Sequence, residues 1–249
     1  MGKVYKFPPL IEALCEFRFE PSQLWDWTIP GLVYDKIRNE FPKKKQQNVI
    51  EMGVRTTQED ITPSIKGGIA RMQFIREDES ALVQVGPDLL VVNHLRPYPT
   101  WGEFKTMIEN ALRVYQTVVS PKNVRRIGVR YINRLEMPTQ QVEIEDYLVA
   151  VPKVPPSTPQ SFATWLQRVE IPFDEANGLM ILQSGSVKQE EQSNPSFLLD
   201  LDFITLDSKM VSLETAMEWV EVAHTEVENT FEACITSKMR ELMMEIKHD

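Results

Sequence analysis

Residues 11–19, "IEALCEFRF", alternate. Ile11, Ala13, Cys15, Phe17 and Phe19 fall on one side, with Glu12, Glu16 and Arg18 on the other, which is the period of a half-buried β-strand. "TIPGLVYDKIRNEFP" then switches to helical spacing. Val33, Ile37 and Phe41 recur every four residues, Thr28 stands at the capping position, Pro30 suits a first turn and Pro42 stops the run. "NVIEMGVRT" reads as a strand. "IARMQFIR" and "ALVQV" flank the hairpin loop "EDES", and "GPD" turns the chain into "LLVVNHLRP". Thr100 and Glu103 form a capping box ahead of one helical stripe, Trp101, Phe104, Ile108, Leu112, Tyr115 and Val119.

The second part of the chain repeats that order. "RRIGVRYINRLEM" is a strand, "EIEDYLVAV" a short helix and "PKVPPSTPQ" a proline-rich loop. "FATWLQRVEI" and "GLMILQSG" are strands joined at "PFDEANG", and "SFLLDLDFIT" is another, with Phe197, Leu199, Leu201 and Phe203 alternating against Asp200 and Asp202. A helical stripe then runs from Leu213 to Ile246. The expected fold class is α+β, built as two tandem antiparallel-sheet-plus-helix halves, β-α-β(4)-α over residues 1–120 and β-α-β(3)-α over residues 121–249. By order of elements this resembles the TATA-binding-protein-like arrangement, a likeness of pattern that carries no function. The halves share no letters at a fixed offset, and whether their sheets join is left open.

Charge sharpens this picture. The first 120 residues balance, so the whole formal charge of −9 falls in residues 121–249. Broad nucleic-acid binding needs the opposite sign. No run approaches the ~20 apolar residues of a membrane span, and "MGKVYKFPPL" carries no apolar stretch of signal length. The expected compartment is the cytoplasm. Cys15 and Cys234 each sit in an apolar stripe, and His94, His224 and His248 are scattered, so no metal and no cofactor is expected. No glycine-rich phosphate loop, zinc-protease motif or catalytic triad pattern is present. Lys43, Lys44 and Lys45 after Pro42 read as a solvated turn.

The informative residues are those that break pattern. Asn133 shares a strand face with Ile127, Val129, Tyr131 and Leu135, and Asn93 shares one with Leu89, Val91 and Leu95. A buried amide without partners costs about 1–3 kcal/mol, so both either bond backbone or line a pocket between the halves. On the polar faces, Arg126, Arg130 and Arg134 alternate along one strand and are joined by Arg18, Arg71 and Arg168. They suit a carboxylate or phosphate. Glu12, Glu16, Glu136, Glu170, Asp200 and Asp202 occupy the same class of face, so cross-strand ion pairs are the competing reading. The candidate ligand-binding set is therefore Asn93, Arg130, Asn133 and Arg134. A helix from Leu213 to Ile246 would span ~50 Å. It either breaks near Thr236–Ser237 or overhangs and bares Met239, Leu242, Met243 and Ile246, a candidate surface for a protein partner or a second copy.

Five stretches together, "PPLIEALCEFRF", "LRPYPTWGEF", "RIGVRYINRLEMP", "FLLDLDF" and "FEACITSKMRELM", resemble a bacterial protein family that is sporadically distributed among genomes and has no established activity. Such a distribution implies an accessory or defence-associated gene cassette. Two functions follow as expectations. One is a non-enzymatic binding or regulatory protein acting through a sheet face or the C-terminal helix. The other is a sensor or enzyme that takes a small anionic ligand in a cleft between the halves.

Overall fold

Alternation in the sequence becomes one antiparallel sheet. The structure, a computed structural model, describes residues 3–21, 25–47, 50–56, 61–67, 71–160, 163–187, 194–206 and 211–246, with segments 50–56 and 61–67 described by backbone alone. Nine strands pair in the order β10 (Leu166–Phe173), β11 (Gly178–Ser186), β12 (Ser196–Thr205), β9 (Val124–Glu136), β2 (Leu10–Phe19), β8 (Leu89–Leu95), β7 (Ala81–Gly86), β6 (Arg71–Ile75) and β3 (Lys43–Gln47). Every pair is antiparallel. The join is β2 with β9, where Cys15 stands opposite Val129 and Leu14 opposite Arg130. A hairpin, β4 (Ile50–Thr56) with β5 (Ile61–Gly67), forms a second small sheet, and β1 (Val4–Tyr5) pairs with β13 (Glu245–Ile246) in a third. The α+β class is thus borne out, with four helices among the described residues: α1 (Ile29–Ile37), α2 (Trp101–Val119), α3 (Ala216–Cys234) and α4 (Ser237–Met243).

Period two gives the sheet two unlike faces. Ala13, Cys15, Phe17 and Phe19 of β2, Leu90 and Val92 of β8, and Val129 and Tyr131 of β9 join the main core beneath the helices. Phe19 stacks on Tyr115 of α2, and Phe203 stacks on Trp219 of α3. The alternate positions, Glu12, Leu14, Glu16, Arg126, Arg130, Asp200 and Asp202, point to the other face by the same register. Gly178 marks how closely the covered face is packed. A Cβ there would stand 2.2 Å from the Phe203 ring, so only glycine fits.

Helix α2 starts as its sequence demands: the Thr100 hydroxyl accepts from the Glu103 amide, and the Glu103 carboxylate accepts from the Thr100 amide. Thr28 does not cap α1. It donates instead to Asp26, whose carboxylate takes both the Thr28 amide and hydroxyl. Lys43–Lys45 do not turn freely but begin the edge strand β3, held by β6. The short helix expected at 143–151 is one 3-10 turn, Ile144–Asp146. Backbone groups after it go elsewhere: Val149 donates to Cys234, and Tyr147 accepts from Thr236. Those bonds also stop the long terminal helix. Ile235 is extended (φ −113°, ψ 153°) and bridges to Leu148, and the Thr236 hydroxyl then caps α4. The break at 235–236 turns α4 back onto the body. Met239 and Met243 are buried there, Leu242 packs against the core, and Ile246 is exposed, so the four do not form one bare face.

Candidate functional site

Strand register decides where the pattern-breaking residues go. Asn93, Leu14 and Arg130 stand in a row across β8, β2 and β9 on the polar face. Asn93 donates to Glu12 at 2.7 Å and accepts from Gln84 at 2.9 Å. Arg130 grips Asp200 with two hydrogen bonds of 2.7 and 2.5 Å, and Gln183 adds a third to the same carboxylate. Glu16 lies 2.8 Å from Arg18 and 3.5 Å from Arg126. Arg134 lies 3.8 Å from Glu136. Among the described residues these arginines are therefore engaged by carboxylates across and along the strands. Asp202 is the exception in strength. Its nearest cation, Arg126, is 3.9 Å away, and burial raises its carboxyl to about 6 despite that cation.

Asn133 is on the opposite, covered face, where its amide donates to the Leu199 carbonyl at 3.2 Å. The two asparagines cannot share a pocket, because one points to each side of the sheet. Near Asn133 the structure holds a chain that the sequence reading did not connect. The Tyr98 and Tyr131 hydroxyls are 3.2 Å apart, Tyr131 reaches Nδ1 of His224 at 2.8 Å, and Nε2 of His224 faces Glu228 at 3.4 Å. Trp101 stacks on the imidazole at 3.8 Å, and its indole N–H donates to Glu221. Burial pushes His224 down to about 4, so the ring is neutral near pH 7. A proton on Nε2 lets Nδ1 accept from Tyr131 and satisfies both sides. Burial also pushes the Tyr98 and Tyr131 hydroxyls above their ordinary range, so neither ionises near neutrality. The chain joins the loop before α2, strand β9 and helix α3 beside the central β2–β9 junction. Its one sequence signal was a histidine within the apolar stripe of a helix, between Ala223 and Val227.

Tyr98 also lines a pocket of about 590 Å³ at the end of the β2–β9 junction. Three pieces of chain build it. The N-terminal strap is tied to the end of α4, with Lys6 and Phe7 amides donating to Met244 and Met243 carbonyls. The Arg96 guanidinium donates to the Leu10 and Pro9 carbonyls and so fixes the far wall to the same strap. Arg134 and Glu136 close the end of β9, and Met239, Leu242 and Met243 supply an apolar side. Lys6, Arg96 and Arg134 face one carboxylate, Glu136, and among the described residues neither Lys6 nor Arg96 has an acidic partner within salt-bridge distance. The pocket is cationic on an acidic chain. Of the residues singled out in the sequence, Arg134, Met239, Leu242 and Met243 meet here, while Asn93, Arg130, Asn133 and Ile246 lie elsewhere.

The thiols of Cys15 and Cys234 are buried, and burial raises both, Cys234 to about 11. No group of three His, Cys, Asp or Glu among the described residues is placed to hold a metal ion. No helix of the described residues is long and apolar enough to cross a membrane. No protein-family model, no curated protein and no solved structure matches the chain.

Proposed function

We propose that this is a non-enzymatic binding protein of the cytoplasm whose pocket at the end of the β2–β9 junction takes a small anion carried on an apolar body. The observation that carries this reading is the pairing of Lys6, Arg96 and Arg134 with the apolar wall of Met239, Leu242 and Met243 in one pocket of a chain with net charge −9. A carboxylate or phosphate head would meet two guanidinium groups, and an aliphatic or aromatic tail would lie along α4. The reading joins both expectations, the anionic ligand of one and the C-terminal helix of the other. The strap and α4 hold each other, so a ligand between them is placed to change how the two chain ends pack, as a regulatory protein requires. Strand order supports reading the chain as two tandem units. Outward from β2 and β9, each side of the sheet runs first strand, last strand, then the preceding ones.

Calorimetric titration with decanoate, decyl phosphate and decanol tests the reading. The two anions are expected to bind and decanol to bind at least about tenfold more weakly, since a charge-assisted hydrogen bond contributes roughly 1.5–3 kcal/mol. Arg134→Gln should remove that preference while leaving the fold intact, because the side chain is half-exposed and its pair with Glu136 is long. Equal binding of decanol and decanoate, or an unchanged preference in Arg134→Gln, would overturn it.

A further inference from the structure

The two edges of the nine-stranded sheet are not alike. One edge, β3, reads Lys43, Lys44, Lys45, and a second copy laid against it would meet like charges, a common defence of sheet edges. The other edge, β10, carries no run of one charge sign, and its edge proline, Pro172, stands next to its last residue. Leu166, Val169 and Ile171 are 78%, 46% and 37% exposed, and Arg168 and Glu170 form a 2.6 Å ion pair on its surface. We propose that β10 is a self-association edge, pairing antiparallel with β10 of a second copy about a two-fold axis at Val169.

Register follows from the backbone. The Ser186 amide donates to the Trp165 carbonyl, and Trp165 precedes β10 in the same alternation, so Gln167, Val169 and Ile171 turn their backbone groups toward β11. Leu166, Arg168, Glu170 and Pro172 then turn theirs outward. Proline at an outward position forfeits no bond within the sheet, in keeping with a strand that ends it. In a symmetric antiparallel pair the outward residues must face one another. An axis at Arg168 or at Glu170 sets like charges opposite. An axis at Val169 sets Arg168 opposite the partner's Glu170 and Glu170 opposite the partner's Arg168. Leu166 then faces the partner's Pro172, which accepts from the Leu166 amide but returns no N–H, so the ladder is complete only over Arg168–Glu170. Four charges then alternate in sign on one face, while Val169 meets its own copy on the other. The contact is isologous, and it joins the two sheets into one without touching the pocket.

Sedimentation velocity on the full chain tests this with Arg168→Glu, Glu170→Arg and an equimolar mixture of the two. The native chain is expected to dimerise at high micromolar concentration. Each single variant places two like-charge pairs across the axis and should weaken its own dimer about tenfold or more. Both side chains are about half-exposed, so the fold should persist. Mixing the two variants restores an opposite-charge pair at both positions, so the mixture should dimerise as the native chain does. A native chain that stays monomeric, single variants that dimerise undiminished, or a mixture that stays monomeric while its components are folded would each overturn the proposal.

Discussion

Asn93 and Asn133 are the same residue in the same kind of pattern, a single amide within an apolar strand face, yet they stand on opposite sides of one sheet. Asn133 lies beneath the helices and makes one bond to a backbone carbonyl, amid Leu199, Tyr131 and Leu135. Asn93 belongs to a side-chain network with Gln84 and Glu12. The covered face satisfies its isolated polar groups locally and packs around them. The polar face satisfies them mutually, and each member depends on the next. That difference predicts that charge and amide substitutions should act more strongly on the polar face than its partial exposure suggests.

The largest effect is expected at Arg130. Arg130→Met leaves Asp200, whose side chain is only 4% exposed, with Gln183 as its remaining side-chain partner. Removing one member of such a pair costs roughly 3 kcal/mol, while Arg130→Met combined with Asp200→Leu should recover most of that. Urea denaturation of the single and double variants measures both. If the single variant unfolds at the native midpoint, the polar face is not a coupled network.

The two faces should also respond to pH with opposite sign. Asp202 is raised to about 6, so the native state holds its proton where the unfolded chain has lost it, and stability falls as pH rises from about 4 to 6. His224, on the covered side, is lowered to about 4. The unfolded chain takes up that proton first, so stability falls as pH drops from about 6.5 to 4. The two effects oppose each other across nearly the same window. Asp202→Asn removes the first, and its stability should rise with pH between 4 and 6.5 more steeply than that of the native chain. Parallel stability profiles would break the comparison.

The smallest effect separates the asparagines themselves. Asn93→Ala strands Gln84 and Glu12 and should cost about 2 kcal/mol, whereas Asn133→Ala removes one bond to a carbonyl and should cost about 1 kcal/mol. Thermal denaturation of the two variants side by side gives the order, and an inverted order would place the tighter network on the covered face.

Much of this was legible in the sequence. Period two located β2, β9 and β12 and assigned their faces, because alternation depends only on backbone geometry. The capping box at Thr100 and Glu103 set the start of α2 for the same local reason. The ion-pair reading of Arg130 and Asp200 was available from face assignment alone, but the partner was not. Cross-strand neighbours are fixed by register, and register is fixed only when β9 lies between β2 and β12. The end of the terminal helix was likewise beyond local reasoning. Its apolar stripe continues through Ile235, and what breaks it is a set of bonds to Tyr147, Leu148 and Val149, almost ninety positions away in sequence. The pocket gathers residues from the first ten positions, the loop before α2, the end of β9 and α4. Strand and helix periods are properties of neighbouring residues, so the sequence by itself determined most of the strands, the start of α2 and the α+β class, but not the 3-10 turn at Ile144–Asp146, the edge strand at Lys43–Gln47 or the break between α3 and α4. Which cations gather around a single carboxylate, which amide joins a network and which edge of the sheet carries alternating rather than like charges depend on residues far apart in the chain. Only the tertiary structure, by closing those loops and fixing the register of nine strands, decided them.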